Sequence, residues 1–511
     1  MLVAKKTRAK CALCYNKSMD LEKRARRQSR RVIISELLMV VTVIITVLIL
    51  AFVVSGYWVN SDFQIERQGL LQIYSIPTGA DVNVDGNPSS WLQRTNTSKT
   101  LAAGEHTISL SKDGYDTWSR TVNITEGLLY RLHYPRLFLK NRTKETALEF
   151  SANSHITNAY ASPDRNWILV SNNSTSWQLL NLDTDNIKTT SLDLSGILPL
   201  TNPNETSIAS ADWANDNEHI LLSIYADDSH SPESLNWLLL NVKNPASSVN
   251  LTKDFNANFT KVEILDSSAS GLLAVLNGNL HQIDVASRRI SAVLVSDIQS
   301  FDHYNREVIF SAKKSSNIIK NSTTSDKTAE ETNSNSEDKS TTEPYFVGLL
   351  QLGSDKLTIL KSTSTPEQVL ATKFYDDIYI CTVADTTLKL YQKNNFEEKS
   401  QFALSFYPEN YKVGAYGEAI VMSSGGHILS LDMEASALTD WSTNTDKFGW
   451  LDGSMLYTVD DGNLNVYDFN GLNHRVLSSN VSARFPITIT SDKYLYYFSD
   501  GQLIREYLYE K

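Results

Sequence analysis

Three cysteines in 511 residues are too few to staple a chain of this length, so its stability must come from a packed core and not from disulfides. Cys11 and Cys14 form a single CxxC with no second pair and no histidine companion to close a four-ligand zinc site. Cys381 sits in the strand-like run DDIYICTVAD and reads as a small buried hydrophobe. Histidine is sparse as well: nine residues, scattered singly, with no His-Glu-x-x-His among them. There is no Gly-x-Ser-x-Gly elbow, and Ser423-Ser424-Gly425-Gly426-His427 reads as a hairpin turn. The acidic turns at Asp460-Asp461-Gly462-Asn463 and from Asp212 to Asp216 each offer only a few oxygens, whereas calcium takes about six to eight, so ordinary turn duty is expected of them. These absences leave no expected catalytic residue, no cofactor-binding residue and no metal site.

Charged residues are missing from one stretch, Leu37 to Gly56, LLMVVTVIITVLILAFVVSG, which also lacks proline. As a helix it is about 30 Å long, the thickness of a bilayer's hydrocarbon core. A transmembrane helix over residues 32–58 is therefore expected, with membrane lipid as the partner of residues 37–56. Lys23, Arg24, Arg26, Arg27, Arg30 and Arg31 precede it, whereas Tyr57 and Trp58 follow without a comparable basic cluster. Positive residues stay inside, so residues 1–31 read as a basic cytoplasmic tail and the remainder as an ectodomain of a single-pass plasma membrane protein. A cleaved signal peptide would have a shorter apolar core and a better small-residue site than VVSGYWVN supplies, which favours an uncleaved anchor. Met19 opens a basic tail of its own and is a second candidate start. The chain carries a net charge of −11 although its first 31 residues are strongly basic, so the outer part is acidic and nucleic acid is excluded as a partner.

From Gly69 to about Tyr134 apolar residues recur at every second position in LQIYSI, ADVNVDG and HTISLSKDGY, the period of half-buried strands. Pro77-Thr78-Gly79, Asp85-Gly86-Asn87 and Ala103-Gly104 supply the turns between them. A small all-β sandwich is expected over residues 69–140, with Tyr115 and Trp118 in its core. Pro77-Thr78-Gly79-Ala80, Asp81 to Gly86, Ala103-Gly104-Glu105-His106 and Lys112-Asp113-Gly114-Tyr115 give this segment its resemblance to the PEGA domain. Thr78 stands where that family has its glutamate, and Trp91 to Thr97 replaces its Gly-x-Thr-Pro stretch. The resemblance implies a non-catalytic, wall-proximal module of a bacterial envelope protein.

Beyond it, over residues 148–511, a pattern of polar turn, short apolar strand, turn and second strand returns eight times, as in SPDRNWILVSNNSTSWQLLNLDT, YGEAIVMSSGGHILSLDME and WLDGSMLYTVDDGNLNVYDFNG. The spacing of about 45 residues is that of a four-stranded propeller blade. A seven- or eight-bladed β-propeller is expected, so the ectodomain is all-β behind one N-terminal transmembrane helix. It is similar to propellers of the TolB or quinoprotein kind in architecture only, lacking the WD dipeptide and the kelch double glycine. Residues 313–343, rich in Ser, Thr, Asn, Lys and Glu, read as a disordered insertion. The function expected is a non-catalytic cell-envelope binding or scaffold protein, meeting a glycan, a peptide or another envelope protein through propeller loops or funnel. The alternative is an envelope hydrolase or lyase whose carboxylates converge in the funnel.

Overall fold

The computed structural model describes residues 35–52, 57–59, 65–88, 94–150, 156–172, 176–184, 186–198, 207–227, 230–314, 323–324, 344–354, 356–414, 417–445 and 447–508. The basic tail through Arg31, with Cys11, Cys14 and Met19, lies outside them, as does the 313–343 insertion apart from Lys313, Lys314 and Thr323–Thr324. By its contacts the chain divides into two compact units. One comprises Met1–Tyr74, Asn83–Ile108 and Thr121–His133, the other Ser75–Val82, Ser109–Arg120 and Tyr134–Lys511.

In the first unit, Ser35–Phe52 forms one helix that is long and apolar enough to cross a membrane. Its two threonine hydroxyls are satisfied within the helix, as Thr42 Oγ1 donates to Leu38 O and Thr46 Oγ1 to Thr42 O, each at 2.8 Å. The helix expected over 32–58 does not extend to Trp58: Tyr57–Val59 is a strand paired antiparallel with Ile65–Ile73. The β-branched and aromatic YWV sequence favours that pairing once the apolar run has ended. Ile65–Ile73 also pairs antiparallel with Thr97–Ala102 and parallel with Leu129–Leu132.

A second four-stranded sheet runs in the order Asn87–Pro88, Asp81–Val84, Gly104–Ser111, Trp118–Ile124. Asp85 and Gly86 both adopt positive φ at the hairpin between the first two of these strands, the two left-handed positions of a tight reversal. Burial alternates strictly along Trp118–Ile124, with Trp118, Arg120, Val122 and Ile124 on the covered face. Trp118 and Tyr115 are buried, and both fall in the second unit.

Among the described residues the second unit holds eight sheets, the first seven each with four main strands consecutive in sequence and the eighth with three. The sequence pattern shows two strands per repeat, because only the middle pair is continuously apolar; the outer strands are polar, as in Lys188–Leu192 and Glu397–Ala403. The first strands of the eight sheets are Asn158–Ala161, Ser207–Trp213, Phe259–Ile264, Ile298–Tyr304, Gln368–Phe374, Asn410–Val413, Phe448–Trp450 and Thr488–Thr490. Each turns into its second strand through a residue of positive φ, among them Arg165, Asn217, Asn305 and Gly417. The eighth sheet draws its last strand, Lys144–Glu149, from before the first, so the repeat region begins at Lys144 and not at Leu148.

Consecutive sheets share their cores. Leu169 and Leu179 of the first sheet pack with Ile220 and Leu238 of the second, and Phe310 and Phe346 of the fourth with Leu273 and Leu280 of the third. Ile168 and Leu180 of the first sheet pack with Tyr496 and Phe498 of the eighth. In the fourth sheet Gly348 lies under the Phe310 ring, and a methyl group there would stand 2.6 Å from Phe310 Cζ. Gly348→Ala is expected to cost about 1–3 kcal/mol through this overlap, read as a lowered unfolding temperature; an unchanged temperature would mean that the ring yields.

Arginine and tryptophan side chains before residue 140 reach the last three sheets. Trp118 Nε1 donates to Asp468 Oδ2 at 2.8 Å, and Arg120 pairs with Asp432 while its guanidinium lies over Tyr134 and Phe469. Arg136 Nε donates to Asp452 Oδ2 at 2.8 Å, and its Nη2 to Asp492 Oδ1 at 2.5 Å.

Candidate functional site

Two cavities lie along the first strands of the second unit. The larger, about 660 Å³, sits where the first strands of the second, third and fourth sheets end, between Trp213, Asn215, Asp266, Gln282, His303 and Arg306. The other, about 550 Å³, is bordered by the first strands of the first, second, sixth, seventh and eighth sheets, through Tyr160, Trp213, Val413, Trp450 and Thr488, with Arg484 and Phe485 beside them. Trp213 borders both. The indole N–H groups of Trp213 and Trp450 are buried and have no hydrogen-bond partner. Buried donors of this kind cost about 1–3 kcal/mol each when left unpaired, which marks them as sites where an acceptor would gain.

Beside the larger cavity the same first strands bring together Asp212, Lys261, Glu263, Asp302 and His303. Lys261 and Glu263 are two residues apart in one strand and so share a face. Lys261 Nζ stands 2.6 Å from Glu263 Oε1 and 4.3 Å from the centre of the Phe301 ring. His303 Nδ1 faces Glu263 Oε2 across 3.6 Å. Asp302 is held from two sides: its Oδ2 accepts from Ala371 N at 2.8 Å and its Oδ1 from His303 N at 2.8 Å. Glu263, Asp302 and His303 each direct one ligand atom into a group whose members lie within 4.8 Å of one another.

The electrostatics are uneven within this cluster. Burial raises the pKa of Asp212, and the charge of Glu263 raises it further. Asp302 is raised by burial as well, with Glu263 adding to it against the Ala371 amide. Burial would also raise Glu263, but His303 and Lys261 outweigh it and hold that carboxyl below its usual range. Burial works against charge on His303, yet Glu263 and Asp302 lift its pKa above that of a free imidazole. The cluster thus combines ionised Glu263, two carboxyls that hold protons more readily than usual, and an imidazole beside an open cavity.

Of the residues singled out in the sequence, Asp212 joins this cluster and the others fall elsewhere. Asp461 and Gly462 both take positive φ at a two-residue hairpin, as do Gly425 and Gly426. Asp216 Oδ1 accepts from Glu218 N and His219 N at 2.8 and 2.9 Å, an ordinary Asx-type turn. Cys381 is buried among apolar residues, which pushes its thiol up to about 12. The sequence reading expected no metal-ligating residues and did not single out Glu263, Asp302 or His303; they come from two repeats about 40 residues apart.

Among solved structures, the chain finds similarity at low identity. The computationally designed Ika8 protein is 9% identical, with a TM-score of 0.41 over 71% of this chain and 100% of its own. The C-terminal WD40 domain of Sif2 is 11% identical, with a TM-score of 0.43 over 72% and 99%. Dihydro-heme d1 dehydrogenase NirN, in complex with DHE, is 12% identical, with a TM-score of 0.39 over 63% of this chain and 66% of its own. No curated protein matches the chain. At the level of families, residues 68–136 match the PEGA domain, so the chain carries a PEGA domain ahead of its repeated four-stranded sheets.

Proposed function

We propose that the eight sheets are the blades of one β-propeller, held outside a membrane by the helix at Ser35–Phe52, and that its funnel binds an envelope glycan. The observation that carries this reading is the cavity of about 550 Å³, which first strands as distant in sequence as Asn158–Ala161 and Thr488–Thr490 border together. Completion of the eighth sheet by Lys144–Glu149 is the further support for a ring, since it fastens the last blade with the first strand of the repeat region. The basic residues before the helix would keep the N-terminus cytoplasmic and place the PEGA domain and the sheets outside. Tyr160, Trp213, Trp450 and Phe485 give the funnel aromatic faces for sugar rings, and the two unpartnered indole donors would take ring hydroxyls as acceptors.

The test is capture of cell-wall glycans by the full chain in detergent with EDTA present. Saturable binding is expected, weakened at least about tenfold (~1.4 kcal/mol) in Trp450→Ala. Binding unaltered by that change, or none, would sink the funnel reading. A second reading, an envelope hydrolase, is favoured by Asp302, a half-buried carboxyl raised by burial beside a cavity. Under it the glycan is consumed, and Asp302→Asn abolishes turnover.

A further inference from the structure

Glu263 Oε2 and His303 Nδ1 are both buried, and neither has a hydrogen-bond partner. They face each other at 3.6 Å, beyond hydrogen-bond reach, which is about 2.7–3.2 Å for such a pair. Two donors on one tetrahedral ion at about 2.1 Å per bond stand about 3.4 Å apart, so this gap already has the span of a shared cation. Asp302 completes the set, its carboxylate fixed by the Ala371 and His303 amides. Each of its oxygens keeps a second lone pair after accepting one amide hydrogen. Its ligand atom lies within 4.8 Å of the other two, so closing all three onto one ion asks for a movement of about an ångström.

We propose that Glu263, Asp302 and His303 bind a divalent transition-metal ion of the Zn²⁺ class. One imidazole and two carboxylates suit that class better than calcium, which prefers oxygen alone and more of it. Three protein ligands leave a coordination position, and His303 borders the larger cavity, so this position opens toward whatever enters there. Lys261 has two opposed effects. Its ammonium holds Glu263 Oε1, which turns Oε2 toward His303, and its positive charge opposes the cation. The site requires only that the third, fourth and fifth sheets pack together, which they do through Leu273, Leu280, Phe301 and Phe310 and through Ile309, Val347, Val369 and Ala371. It stands whether or not the eight sheets close into a ring.

The test uses the full chain in detergent, stripped with EDTA, with Zn²⁺ alone as the probe and calorimetry as the readout. Cys11→Ser and Cys14→Ser are made throughout, so that no thiol pair competes for the probe. One equivalent of saturable binding is expected. His303→Gln and Glu263→Gln should each weaken it at least about tenfold, as loss of a ligand costs no less than loss of a residue that orients one. Lys261→Met should tighten it, since removing a unit positive charge beside the cation outweighs losing one orienting hydrogen bond, a change of opposite sign that damage to the fold would not produce. Absence of saturable binding overturns the proposal. So does binding that His303→Gln and Glu263→Gln leave intact, which would place the ion at a surface pair such as His106 with Asp85 or His219 with Asp216. Because glycan capture is read in EDTA, failure here leaves the binding reading standing, and failure there leaves this one.

Discussion

Replacement of Arg136 by methionine is expected to destabilise the second unit by about 3–5 kcal/mol, the cost of stripping a buried carboxylate of its partner. Arg136 is 2% exposed, and its guanidinium meets Asp452 at 2.8 Å and Asp492 at 2.5 Å. Asp452 is itself buried, and its second oxygen is committed to the amides of Ser454 and Met455, so it cannot turn toward water when the arginine goes. Asp492 is half exposed and re-solvates, so the loss falls on the Asp452 side. Asp452→Asn in the Arg136→Met background should therefore restore a large part of the stability. Thermal unfolding of the full chain followed by near-UV dichroism reads both variants. A control is at hand in Lys389 and Glu398, an exposed pair at 3.1 Å whose removal should cost no more than about 1 kcal/mol. If Arg136→Met unfolds no earlier than the control, the ion pair is not what ties this segment to the seventh and eighth sheets.

That arginine also shows where the sequence stopped speaking. The PEGA turns were legible because Gly79, Gly86 and Gly104 take the positive φ that such turns require. The eight repeats were legible because their middle strands are apolar runs bounded by turn residues. Arg120 and Arg136 carry no periodic signal, since a buried charge looks like a surface charge until its partner is placed about 300 residues away. The cluster beside the larger cavity was hidden for a related reason, although a weak signal existed. Aligned on the penultimate residue of each first strand, the second to sixth repeats read Asp212, Glu263, His303, Lys373 and Lys412. Glu263, His303 and Lys412 are half-buried there, and polar groups so placed are costly unless they serve each other or a ligand. Finding that register requires knowing where each first strand ends, and these strands are too short and too polar for periodicity to fix their ends.

Stability should fall as the pH rises from about 4.5 to 7, and Glu418 should account for most of that fall. Burial lifts its pKa to about 7, with Asp452, Asp432 and Glu434 adding their charge against the hydrogen bond from Ser454 Oγ at 2.5 Å. The folded chain therefore keeps a proton there that the unfolded chain has released, which favours the folded state below about 4.5 and ceases to do so once the pH passes 7. The gap of about 2.5 pH units from the ordinary 4.5 corresponds to ~3 kcal/mol at 1.36 kcal/mol per unit. Asp468, lifted to about 6 by burial despite the hydrogen bonds from Asn473 and Trp118, works in the same direction from a lower starting point. Glutamine at 418 keeps an acceptor for Ser454 and carries no charge to bury. Glu418→Gln should match the parent near pH 4.5, exceed it by about 2–3 kcal/mol at pH 8, and leave a shallower slope, to which Asp468, Asp212, Asp302 and His303 contribute. Unfolding temperatures of the two chains across that range decide it: parallel curves would mean that Glu418 is ionised in the folded protein and that its carboxylate is solvated or paired after all.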